Sequence, residues 1–66
     1  MRTQLKVFRV LQKKSQSQMA AKLGYGRAYY GHVENGLQKG SDVFWTRLQA
    51  TFGLTDVVVK ELKKND

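Results

Sequence analysis

The chain has 66 residues, of which 12 are Lys or Arg and 5 are Asp or Glu, giving a formal net charge of +7. That length makes one domain, with a core too small to enclose both a cofactor and a catalytic cleft. With no Cys there is neither a disulfide framework nor a thiolate zinc site, so apolar packing must supply the stability. No continuous apolar run exceeds three residues, as at Val57, Val58 and Val59, so no membrane span or secretory leader is readable. The expectation is one soluble, cytoplasmic domain over residues 1–66, with Met1 as a natural start and no linker or repeat. A sequence pI of about 10.1 favours a polyanionic partner. The charge is also uneven. Residues 1–33 hold Arg2, Lys6, Arg9, Lys13, Lys14, Lys22 and Arg27 without one Asp or Glu, whereas the second half is balanced, five against five. An excess confined to one half suggests a binding face.

In chain order, the apolar residues Leu5, Val7, Phe8, Val10 and Leu11, interleaved with basic ones, predict a first helix from Leu5 to Lys14. Ser15 can cap a second helix from about Gln16 to Leu23, and Gly24 can end it in the left-handed conformation. Tyr25 can point inward from the turn, and Gly26 opens a third helix from Arg27 to about Asn35, closed by Gly36. Two short helices joined by a Gly-containing turn make a helix-turn-helix at about residues 16–35. Ser41 caps a fourth helix carrying Phe44, Trp45, Leu48 and Phe52 and ending at Gly53, and Thr55 with Asp56 starts a fifth containing Val57, Val58, Val59 and Leu62. These last two helices, about residues 41–63, complete the core. Helix 5 should be the weakest because Val is a mediocre helix former.

The run Ser15-Gln16-Ser17-Gln18-Met19-Ala20-Ala21-Lys22-Leu23-Gly24, followed by Glu34-Asn35-Gly36, resembles the phage repressor and Cro family, the lambda-repressor-like or XRE-type helix-turn-helix regulators. The likeness extends in one register from about Leu5 to Leu54. It implies an all-α, five-helix fold. Independently of the family, Ala20 must be small where two short helices cross. Leu23, Tyr25, Tyr30 and Val33 take the inward positions, and Arg27, Ala28, Tyr29, Gly31 and His32 the outward ones. The sequence departs from the family at Lys13 and Lys14, where a Gly and an apolar residue are usual, at Gly26, which replaces a Ser or Thr cap, and at Gly40, which replaces a Pro. These departures bear on loop shape.

In the resembled family the start of the third helix reads base edges, which makes Arg27, Ala28, Tyr29 and His32 the candidate readers. Arg27 can donate two parallel hydrogen bonds to O6 and N7 of guanine, worth ~1–3 kcal/mol of discrimination. Ala28 can touch a thymine methyl, and Tyr29 and His32 can each bond a base or a phosphate. Gly31 should cost the helix ~1 kcal/mol relative to Ala, and its missing side chain can relieve crowding against DNA or helix 2. Gln16 resembles the family's phosphate-binding Gln, and Asn35, Gln38 and Lys39 are placed to hold phosphates across the groove. The family also joins an Arg of helix 1 to the Glu closing the recognition helix, here Arg9 and Glu34, by a partly buried ion pair.

The resulting expectation is a dimeric Cro-like repressor that binds a palindromic operator in double-stranded DNA, encoded by a bacterium, phage or plasmid. The homodimer would form through helix 5 and the end of helix 4, with Phe44, Leu54, Val57, Val58 and Leu62 as contacts. A single His, scattered carboxylates and no Cys supply no nucleophile with a base, no acid pair and no metal cluster, so the reading includes no enzyme activity, cofactor, metal, membrane or small-molecule substrate. A rival reading keeps the fold but makes the chain an antitoxin or co-regulator whose main task is protein binding; a large apolar patch without self-symmetry would distinguish it.

Overall fold

Local capping chemistry sets most of the helix ends in the computed structural model, which describes all residues from Met1 to Asp66. The order is α1 (Thr3–Leu11), α2 (Gln16–Leu23), α3 (Arg27–Glu34), α4 (Asp42–Phe52) and α5 (Asp56–Lys63). The fold is all-α. Ser15 begins α2 with a reciprocal capping box: its hydroxyl accepts from the Gln18 amide at 3.1 Å, and the Gln18 side chain accepts from the Ser15 amide at 2.8 Å. Ser41 and Thr55 accept likewise from Phe44 and Val58 at the starts of α4 and α5. Gly26 precedes α3 with no side-chain cap at all.

The core draws on every helix: Leu5 of α1; Met19, Ala20 and Leu23 of α2; Tyr30 and Val33 of α3; Phe44, Trp45 and Leu48 of α4; Val59 and Leu62 of α5. Ala20, 1 % exposed, lies where α2 meets α3, and a larger side chain there would cost about 1–3 kcal/mol through overpacking. Phe44 is wholly buried and its ring contacts those of Tyr25, Tyr30 and Trp45. Leu62 is buried as well. Both are corrections to the expected subunit contact, because a side chain already packed within its own domain has no surface left for a partner. Leu54 is half-buried against the core, while Val57 and Val58 remain exposed.

Gly24 ends α2 at φ 80°, turning the chain directly into α3. Gly40, at φ +78°, explains the missing Pro: proline is fixed near about −65°, and a Cβ at this position would stand 2.7 Å from the Trp45 indole nitrogen. That indole donates to the Lys39 carbonyl at 3.2 Å, so the loop before α4 rests on the ring.

Helix α1 differs from its expected span at both ends. It starts at Thr3, two residues early, because the Asp66 carboxylate accepts from the Thr3 amide at 3.1 Å and the Thr3 hydroxyl at 3.0 Å, a cap brought from the other end of the sequence. It ends at Leu11 rather than Lys14 because Lys13 adopts φ 57°, the left-handed conformation that normally closes a helix with Gly. Lys13 thus occupies a glycine position. Lys13→Gly is expected to stabilise the fold by about 1 kcal/mol, raising Tm by about 4–8 °C. Thermal denaturation followed by circular dichroism measures it, and an unchanged or lower Tm would show that the backbone there carries no strain.

Candidate nucleic-acid interface

The outward face of α3 is positioned by what lies behind its last turn. Glu34, only 1 % exposed, receives Arg9 Nε on one carboxylate oxygen at 2.9 Å and Arg9 Nη2 on the other at 3.2 Å. This two-pronged pair fixes α3 against α1. Arg9 Nη1 also donates to the Lys14 carbonyl at 2.8 Å, and Gln16 Nε2 to Glu34 Oε1 at 3.3 Å. The N-terminus of α2 is thereby tied to the same carboxylate.

Burial opposes ionisation of Glu34, but hydrogen bonding from Arg9 and Gln16 together with the Arg9 charge outweighs it and holds the carboxyl below its ordinary value. Its hydrogen bond to Glu34 raises Arg9 correspondingly, against the effect of burial. The Tyr30 hydroxyl is buried without a well-aligned partner, and burial, reinforced by the neighbouring carboxylate, pushes its ionisation upward.

On the other side of α3, Arg27, Ala28, His32 and Asn35 are exposed. With Gln16 and Gly31 they line a shallow cleft of about 260 Å³ between α2 and α3. Gly31 lies at the floor of this cleft, buried beneath the Gln16 side chain, where a Cβ would meet Gln16 Oε1 at 3.4 Å. Gln16 crosses over it toward Glu34. A larger open cleft of about 430 Å³ between α4 and α5 contains none of these residues.

Tyr29 is a second correction. Its half-buried ring stacks on Tyr25 at 5.0 Å and meets Phe44 edge-on at 5.9 Å, and its hydroxyl accepts from the Ser41 amide at 3.1 Å. A ring held this way braces α3 against the start of α4 and is not free to project into a groove. Gln38 and Lys39 follow α3 with exposed side chains. Sequence reasoning missed Arg2, which is 6 % exposed. Its guanidinium donates to the carbonyls of Val33, Gln38, Lys39 and Lys63, at 2.6, 2.7, 3.3 and 3.0 Å. No local pattern marks it, since its partners lie 31 or more residues away.

Two short helices joined by a glycine turn, the second offering a polar face from a basic scaffold, define the helix-turn-helix class of DNA-binding domains. A family described as a helix-turn-helix domain matches residues 1–62, and the chain belongs to it. No curated protein and no solved structure matches the chain. No helix is long and apolar enough to cross a membrane.

Because the folded state holds Glu34 below its ordinary value of 4.5, the stability this group contributes is fully present above pH 4.5 and is lost as pH falls through the folded value. Glu34→Gln should destabilise the protein by about 3 kcal/mol at neutral pH, leaving Arg9 without its counter-charge. The difference from the unmodified protein should then shrink as the solution is acidified below that point. Urea denaturation at several pH values measures both, and a gap that stays constant into acid would show that the carboxylate is not the group responsible.

Proposed function

We propose that this domain is a sequence-specific regulator of the phage repressor and Cro type, acting on double-stranded DNA inside the cell as a homodimer and repressing transcription at a palindromic operator. The observation that carries the reading is the exposed polar face of α3, set by an ion pair behind it and flanked by cationic surface. Arg27 and His32 take the base-reading roles with Ala28 between them, and Gln16, Asn35, Gln38 and Lys39 the phosphate contacts. Residues 1–66 act as one DNA-binding unit without catalysis, and occupancy of the operator excludes polymerase.

Selection of bound sites from random duplexes tests this directly. A palindromic consensus with half-sites one turn apart, ~34 Å, supports the dimeric reading; recovery of no consensus overturns it. Arg27→Ala should relax the preference at one position of each half-site by ~1–3 kcal/mol. Lys39→Ala should weaken all duplexes alike and flatten the salt dependence by about one unit for each phosphate left without its lysine. Unchanged base preference in Arg27→Ala would remove Arg27 from the reading face.

With Phe44 and Leu62 inside the core, the proposed dimer surface reduces to Leu54, Val57 and Val58. Val57 is 73 % exposed and Val58 39 %, on the opening turn of α5. Val58→Asp should place a charge in that interface and leave a folded monomer, read by sedimentation. A variant that still sediments as a dimer would move the interface elsewhere, and an unmodified protein that sediments as a monomer would remove it.

A further inference from the structure

Arg2 is a buried cation without a carboxylate partner. Its four acceptors are carbonyls: Val33 at the end of α3, Gln38 and Lys39 in the segment after it, and Lys63 at the end of α5. The Arg2 amide adds a fifth link, donating to the Glu34 carbonyl at 2.7 Å, and the guanidinium lies 5.7 Å from the centre of the Trp45 ring. Carbonyls at the C-terminal end of a helix carry its negative partial charge, which suits them to a cation. A planar fork with five donors can satisfy several at fixed angles, which a single ammonium cannot.

The segment between α3 and α4 has no helix of its own to hold it. The Gln38 and Lys39 carbonyls turn to Arg2 while their side chains stay exposed. A second clasp holds its start, where Asn65 Nδ2 donates to the Gly36 carbonyl at 3.2 Å.

We infer that Arg2 is a positioning residue for DNA binding: by gathering the Val33, Gln38 and Lys39 carbonyls around its guanidinium and anchoring them to Lys63 of α5, it presets the loop from which Gln38 and Lys39 meet the phosphates. The inference rests on the DNA-binding reading proposed above. Arg2 itself touches no phosphate. Its effect is to remove the ordering cost that a free loop would incur on binding. Sequence preference, set by α3, is untouched.

Arg2→Lys and Arg2→Met in the full 66-residue chain separate this role from simple charge. Two measurements apply: affinity for the selected duplex and for a scrambled one across a salt series, and hydrogen exchange of the Leu37 and Gln38 amides in the free protein. Both amides donate to the His32 carbonyl, at 2.8 and 3.2 Å, and so report loop order. Arg2→Lys keeps the charge but loses the fork. It should bind both duplexes roughly tenfold more weakly, lower the salt slope by about one, keep the ratio between duplexes and speed exchange at both amides. Arg2→Met should do the same or more.

Wild-type affinity and exchange in Arg2→Lys, with loss only in Arg2→Met, would reduce Arg2 to a contributor of charge and overturn the inference. A changed ratio between duplexes would also overturn it. If Arg2→Met fails to fold, Arg2→Lys decides; if neither folds, Arg2 is a folding determinant and the positioning role is rejected. Should the unmodified protein bind no duplex, the DNA-binding reading fails first, and the exchange data alone still report whether Arg2 orders the loop.

Discussion

An ionised carboxylate at the last residue of a helix is doubly disfavoured: burial strips its water, and the negative end of the helix repels it. Glu34 is in that position, and the domain answers with Arg9 at 2.9 Å. Removing either partner would leave the other charge stranded, so the pair determines how α1, α2 and α3 can sit together. Gln16 reaches the same carboxylate from α2 by crossing over Gly31 of α3. The angle at which α3 presents its polar side therefore follows from an arrangement on its opposite side.

This arrangement also changes the meaning of the basic first half of the chain. Of its seven cations, Arg2 and Arg9 are consumed internally, one by carbonyls and the other by Glu34. Lys22 is exposed, with its Nζ 5.9 Å from the centre of the Phe52 ring. Internal contacts leave the net charge unchanged but decide which cations a polyanion can touch: Lys6, Lys13, Lys14, Lys22 and Arg27 of this half, with Lys39 beyond α3.

Helix ends are legible in the sequence wherever their chemistry is local. Ser15, Ser41 and Thr55 cap the residues three positions ahead, and Gly24 and Gly53 stop α2 and α4 as expected. The Arg9–Glu34 pair is legible through the family resemblance. Illegible features depend on residues distant in sequence. The cap on α1 is Asp66, the partners of Arg2 begin at Val33, and the Tyr29 hydroxyl meets Ser41. Phe44 and Leu62 fit a subunit interface as well as a core when only helical spacing is known, because periodicity names a face and not what covers it. Lys13 stands where Gly is usual, but its retained left-handed backbone does not follow from the side chain present.

The contrast between the two ends of α3 has a mechanical consequence. Its C-terminal turn is gripped by the Arg9 and Arg2 guanidiniums, whereas Gly26 offers no side-chain acceptor to the amides of the first turn. The first turn, which carries Arg27, is held instead through the Tyr29 ring and hydroxyl, so the two ends of the rod are fastened by different means: charge at the root, aromatic packing at the tip.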